Sequence, residues 1–327
     1  MRFAFAGTPR FASWVLRDLV DLGRPPALVI SQYDRPRGRG QKQCPPHAVT
    51  QADCLGLEWI QTDDINSVDV LDAMRARGLA ALVVAAFGQL LKKPLLETVT
   101  CLNVHASLLP KYRGAAPIER ALAAGESTTG VSIMRITEGL DAGPWAQQVT
   151  VSVGLRVDTA SLGRVLAVAG AVAMAEVLDS IADGTVEWRE QEGHPSYAGK
   201  LGPQDCLLDA TLNARSLHDR VRSLSPAIGA RAVLGELPVK VWRTWPHTGS
   251  AGQALPGAAA VLAGSPGEIR VADGRLFLGC SEGTLEILDL QPASKARMTT
   301  AAFLRGYGRR VGTRLAPPTP CPATESE

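Results

Sequence analysis

Ala80-Ala81-Leu82-Val83-Val84-Ala85-Ala86 is a stretch of seven apolar residues with no polar side chain to offer water. A strand with one solvated face alternates apolar and polar residues, so an unbroken run must be covered on both faces. Phe3-Ala4-Phe5-Ala6 and Ala27-Leu28-Val29-Ile30 have the same character, and between them Phe11, Trp14, Val15, Leu16, Leu19 and Val20 recur at helical spacing. Strands alternating with helices in this way predict an α/β unit built on a parallel sheet. Further strands are expected over Thr100–His105 and Gly130–Ile136, with a short helix over Ala115–Ala124 between them. From about Thr159 to Asp183 the pattern predicts a long helix whose core stripe is Leu162, Val165, Leu166, Ala169, Val172 and Ala173.

After Gly193 the character changes. Turn-rich segments around Glu192–Pro195 and Gly199–Pro203 read as a linker, followed by one helical stretch, Leu212–Leu224. Then come short strands punctuated by glycine, at Val239–Trp242, Gly267–Val271, Leu276–Leu278 and Leu285–Ile287, as expected of a small β-barrel. The expected organisation is therefore residues 1–190, a linker over 191–205, a second domain over 206–315, and a Pro-rich disordered tail over 316–327.

Composition supports a folded, two-domain chain: 327 residues, 46% hydrophobic and 20% charged, are enough for a sizeable core. The longest apolar run, Val165–Ala175, is 11 residues and too short to span a bilayer, and the N-terminus lacks a signal-peptide h-region. Six scattered cysteines without a Cys-x-x-Cys pair, five histidines and no His-Glu-x-x-His predict reduced thiols, a cytoplasmic setting and no metal. Gly7-Thr8-Pro9 at the first strand–helix junction is neither a dinucleotide fingerprint nor a P-loop, so neither NAD nor ATP is expected.

The formal net charge is only +2, yet the cations are unevenly placed. Residues 1–50 hold eight Lys or Arg against three acids, and Leu290–Ala316 holds six cations and no acid. Such clusters suit a solvated surface or a polyanion partner.

Asn103 and His105 stand two apart at the end of an apolar strand and so share a face; the carboxyl ends of parallel strands open into the ligand crevice. Asp141 lies in the turn Glu138-Gly139-Leu140-Asp141-Ala142-Gly143-Pro144. Alone, His105 reads more readily as a structural histidine and Asp141 as an ordinary turn aspartate. Together they supply an imidazole, an amide donor and a carboxylate.

The segment Asn103-Val104-His105-Ala106-Ser107-Leu108-Leu109-Pro110-Lys111-Tyr112-Arg113-Gly114-Ala115-Ala116-Pro117-Ile118 resembles the folate-dependent formyltransferase family, and within it the methionyl-tRNA formyltransferases. The likeness extends from residue 2 to about 310, through Phe5–Pro9, Asp34–Gly40, Thr129–Met134, Glu138–Asp141, Ser196–Leu201 and Leu290–Met298. It implies a Rossmann-like formyltransferase domain followed by a small OB-like β-barrel, with Asn103, His105 and Asp141 as the catalytic set. It implies 10-formyltetrahydrofolate as donor, held by Ser107, Leu108, Leu109 and Pro110 with Phe87, Gly88 and Leu90. The implied acceptor is the α-amine of initiator methionyl-tRNA, on a monomeric enzyme without a membrane partner. The basic residues Arg35, Arg37, Arg39 and Lys42, with Lys295 and Arg297, suit contacts to tRNA phosphates. Arg39 is the expected discriminating contact.

Lys92 stands where relatives usually have proline, Ala142-Gly143-Pro144 replaces a common Thr-Gly-Asp, and Ala210 and Ser225-Pro226-Ala227 replace aromatic-bearing positions. These departures keep other readings open. They are an amino-sugar nucleotide or peptide-synthetase formyltransferase, a hydrolase of the same donor, and a catalytically silent RNA-binding relative.

Overall fold

The computed structural model describes residues 1–37, 42–248, 257 and 262–316. The chain divides into two compact units: Met1–Pro117, Thr128–Val153 and Ser161–Gly199 form one, and Ile118–Ser127, Gly154–Ala160 and the chain from Lys200 form the other.

In the described part of the first half run β1 (Phe3–Gly7), α1 (Arg10–Asp21), β2 (Leu28–Ser31), β3 (Arg35–Arg37), β4 (Lys42–Cys44) and α2 (His47–Cys54). Next are β5 (Trp59–Gln61), α3 (Val68–Ala76), β6 (Ala81–Ala85), α4 (Lys93–Thr98), β7 (Thr100–His105) and α5 (Pro117–Ala123). β8 (Thr128–Arg135), β9 (Trp145–Ser152) and α6 (Thr159–Ala182) complete it. Seven strands form one sheet in the order β5-β2-β1-β6-β7-β8-β9. Pairing is parallel from β5 to β7 and antiparallel from β7 to β9. The sheet is a Rossmann-like one with an antiparallel flank.

The apolar runs are buried on both faces, and alternate residues serve different cores. Phe3, Phe5, Val29, Val83 and Val104 pack with Val15, Leu16, Leu19, Ala167, Ala171 and Met174. Ala4, Ala6, Leu28, Ile30, Leu82 and Val84 pack on the other side with Val70, Met74 and Leu95. This period-two division is what a helix-covered parallel sheet requires. Gly170 lets α6 lie close to β7, because a Cβ there would sit 2.5 Å from Val104 Cγ1.

Two readings of the sequence are corrected. Val165 and Val172 are 50% and 41% exposed, not core, because the buried face of α6 carries Leu162, Leu166, Gly170, Ala173, Met174 and Val177 instead. The apolar run lies inside the 24-residue helix Thr159–Ala182, which is long and apolar enough by composition to cross a membrane, yet its inner face is packed in a core. β9 had no sequence counterpart: it carries Gln147 and Gln148 among half-buried residues.

The second unit contains α7 (Ala214–Ser223), β10 (Ala230–Leu234), β11 (Leu237–His247), β12 (Ile269–Ala272) and β13 (Arg275–Gly279). β14 (Thr284–Pro292), β15 (Met298–Thr299), α8 (Thr300–Tyr307) and β16 (Leu315–Ala316) follow. The antiparallel sheet runs β12-β13-β14-β11-β10-β16, with β15 beside β14. Its two edges meet: Glu268 bridges Arg314, the Ile269 N–H donates to Thr313 O and the Leu315 N–H to Gly267 O, both at 2.7 Å. The sheet thus curls into a small barrel around Leu234, Val241, Leu276, Leu285 and Ile287. Asn213 and Thr299 cap α7 and α8, accepting from the N–H groups of Ser216 and Ala302.

Candidate active site

The switch point of the strand order falls between β1 and β6, and the loops leaving the carboxyl ends of β6 and β7 carry the residues singled out above. Asn103 and His105, two apart on β7, project to one face. Asp141, 36 residues beyond His105 in the numbering, is brought between them. The Asn103 Nδ2 amide donates to Asp141 Oδ1 at 3.4 Å, and His105 Nδ1 lies 3.7 Å from Asp141 Oδ2. The other ring nitrogen, His105 Nε2, is 2.9 Å from the Tyr112 carbonyl. A carbonyl only accepts, so Nε2 carries a proton and the neutral ring is the Nε2–H tautomer. Nδ1 is therefore the nitrogen turned toward Asp141. The imidazole is buried and the carboxylate nearly so, in a setting where each hydrogen bond is stronger than in water.

Asp141 Oδ2 also accepts from the Gly114 N–H at 2.8 Å, while Oδ1 has, among the described residues, the long contact to Asn103 alone. The backbone at Asp141 is left-handed, φ 46°, and needs support from its surroundings. Gln191 gives it: Nε2 donates to the carbonyls of Asp141 and Gly143, both at 2.8 Å, while Oε1 accepts from Arg113 Nη2 and Nε at 2.6 and 3.0 Å. Gly143 is packed so tightly that a Cβ would stand 2.0 Å from the Arg135 carbonyl. Gly143→Ala should displace the Asp141 turn and cut turnover on the order of tenfold or more. Steady-state kinetics of the folded variant check it.

The 107–110 loop is held from below. Ser107 is fully buried, its hydroxyl donating to Lys111 O at 2.5 Å. The Ser132 hydroxyl donates to Ser107 O and accepts from the Leu109 N–H, and Gln148 Nε2 donates to Leu109 O. Leu109 is buried, while Leu108 and Pro110 are half-buried. In the β6 loop Phe87 is buried and its carbonyl accepts from Gln32 Nε2 and Thr8 Oγ1; Gly88 has φ 83°, and Leu90 is 73% exposed. Lys92 fits its loop through its own N–H, which donates to Asn66 Oδ1 at 2.7 Å, a bond proline could not make.

The basic residues fall in two places. Arg35 and Lys42 are exposed on the β3–β4 hairpin, where Arg37 pairs with Lys42 by backbone register. Arg39 lies outside the described residues. Lys295 is exposed in the β14–β15 turn of the second unit. Arg297 is matched by Asp289 at 2.9 Å, an acid one residue before the basic segment, and lies over the Trp242 ring. Among the described residues no group of His, Cys, Asp or Glu is placed to hold a metal ion.

Family models described as formyl transferase and formyl transferase, C-terminal domain, match residues 1–178 and 200–308. A methionyl-tRNA formyltransferase of Rubrobacter xylanophilus is 45% identical over 312 residues, 94% of this chain and 97% of its own. The chain belongs to the formyl transferase family. Among solved structures, the formyl transferase chain resembles HypX from Aquifex aeolicus in complex with tetrahydrofolic acid, TM-score 0.64 at 17% identity. The match covers 95% of this chain and 48%, about half, of that larger one. Methionyl-tRNA formyltransferase from Clostridium thermocellum shares the fold at TM-score 0.52 and 13% identity, covering 75% of this chain and 93% of its own.

Sequence reasoning named Asn103, His105 and Asp141 but not their supports. Tyr112 O, Gly114 N–H and Gln191 carry no local signature, since two act through the main chain and the third lies in a turn-rich stretch.

Proposed function

We propose that this chain transfers the formyl group of 10-formyltetrahydrofolate to the α-amine of initiator methionyl-tRNA. The observation that carries the chemistry is the convergence of Asn103, His105 and Asp141 at one crevice, and the full-length identity to a methionyl-tRNA formyltransferase favours that acceptor. Attack of the neutral amine on the formyl carbon forms the new C–N bond and places negative charge on the formyl oxygen. Asn103 Nδ2, only loosely engaged by Asp141, has a hydrogen to donate to that oxygen. A proton must then leave the amine and another must reach N10 as the old C–N bond breaks. His105 Nδ1 is the ring nitrogen able to exchange it, since Nε2 is committed to Tyr112. A proton at Nδ1 turns the 3.7 Å approach to Asp141 into an ion pair, so the carboxylate stabilises the imidazolium.

The donor is read as lying against the 87–90 and 107–110 loops, with exposed Leu90 offering apolar contact and buried Ser107 and Leu109 shaping the loop from beneath. On the acceptor side the hairpin carrying Arg35 and Lys42 is read as a phosphate-contacting element, together with Arg39 of the intervening sequence, and Lys295 as a second cation. The enzyme is read as a monomer.

One assay tests this: purified chain with 10-formyltetrahydrofolate and charged initiator tRNA, with uncharged tRNA and free methionine as controls. Formyl-methionyl-tRNA is expected, whereas formate release without acceptor would point to a hydrolase. Arg39→Ala is expected to weaken tRNA formylation and flatten its salt dependence, with donor binding unchanged. Normal formylation by that variant would overturn the reading of the loop.

A further inference from the structure

Three consecutive residues of the loop after β7 each hold one part of the site. Tyr112 O accepts a hydrogen bond from His105 Nε2–H, the Arg113 guanidinium donates to Gln191 Oε1, and the Gly114 N–H donates to Asp141 Oδ2. Gln191 then returns to Asp141 itself, donating to its carbonyl and to that of Gly143. The contacts close a ring: Asp141 carboxylate, Gly114, Arg113, Gln191, Asp141 main chain. Both hydrogens of Nε2 and both lone pairs of Oε1 are used, so this amide joins two loops in one geometry.

We propose that Gln191 is a positioning residue for Asp141: it fixes the left-handed turn that aims the carboxylate at His105 and Asn103, and takes no part in binding either substrate. The inference rests on the catalytic reading of Asp141 above. Main-chain bonds reinforce the same frame without replacing the ring, since the Arg113 N–H donates to Ser196 O and the Ala198 N–H to Arg113 O. Without Gln191 the loop at φ 46° keeps its fold-level anchors but loses the bonds that set its angle. Displacement of a reacting group by about 1 Å costs on the order of a hundredfold in rate.

The amide is needed as a donor as well as an acceptor. Gln191→Glu would keep an acceptor for Arg113, and strengthen it with charge, but would set a carboxylate oxygen against two carbonyls. Gln191→Ala and Gln191→Glu are therefore both expected to lower kcat by about tenfold to a hundredfold, with KM for donor and for charged tRNA within about twofold of wild type. A residue that merely anchored Arg113 would tolerate Gln191→Glu, so wild-type turnover in that variant overturns the proposal.

A double-variant cycle supplies the second readout. Asp141→Asn and Gln191→Ala act through one group, so the double variant should be no slower than Asp141→Asn alone. A double variant slowed by the product of the two single effects would show that Gln191 acts elsewhere and would overturn the proposal. Full activity in Asp141→Asn would sink the catalytic reading itself and this inference with it, a result seen in a different variant from the other two.

Discussion

Replacing His105 with alanine is expected to lower formyl transfer at least about a hundredfold, the equivalent of about 3 kcal/mol of transition-state stabilisation. The substitution removes the one ring nitrogen, Nδ1, that faces Asp141 and can carry the moving proton. It also deletes the bond from Nε2 to the Tyr112 carbonyl, so some of the loss could be blamed on a shifted loop. His105→Gln separates the two effects. Its amide can still donate to Tyr112 O but has no titratable nitrogen, so it should be nearly as slow as the alanine variant while matching wild type in stability and donor affinity. The measurement is single-turnover formylation of charged tRNA, beside donor binding and thermal unfolding. Near-wild-type turnover in either variant would remove His105 from the chemistry.

The degree to which the site could be read from sequence follows from the range of the interactions. Asn103 and His105 are two apart on a buried strand, and period two puts them on one face whatever the rest of the chain does. The central strands were legible for a related reason: Phe3–Gly7 and Ala81–Ala85 must be covered on both sides. Asp141 is legible as a turn residue, but its approach to β7 depends on the close packing of Gly143 on Arg135 O and on Gln191, 50 residues further on. No local pattern encodes a contact of that span. Val165 and Val172 were misassigned because α6 is apolar nearly all round, so its sequence does not say which stripe meets the sheet. β9 escaped because an edge strand with half-solvated faces needs no apolar run. Arg297 looked unopposed only because its partner, Asp289, sits on the preceding strand just outside the basic segment.

The largest expected loss of stability comes from α7 rather than from the candidate site at β7. Asp219 and Arg222 are both buried, and Asp219 accepts from Arg222 Nε at 2.7 Å and from Arg215 Nε at 2.8 Å. Arg222 Nη1 ties down the carbonyls of Gly154 and Val157 at 3.1 Å each, while its Nη2 has no hydrogen-bond partner among the described residues. The neighbouring His218 bridges Thr244 Oγ1 and Leu155 O, and burial pushes its pKa down, which favours the neutral ring and keeps a further positive charge away from Arg222. Asp219 is thus the counter-charge on which a nearly satisfied buried guanidinium depends. Asp219→Ala should cost about 3–5 kcal/mol, because the removed carboxylate leaves a buried cation unpaired. The melting transition of the second unit should fall on the order of 10 °C. Adding Arg222→Leu to Asp219→Ala removes the stranded charge, so the double variant should be more stable than Asp219→Ala alone although it carries one more substitution. Urea unfolding of wild type, Asp219→Ala, Arg222→Leu and the double variant decides it. A double variant weaker by the sum of the single losses would mean that the carbonyl bonds of Arg222, not its pairing with Asp219, hold the Gly154–Val157 segment.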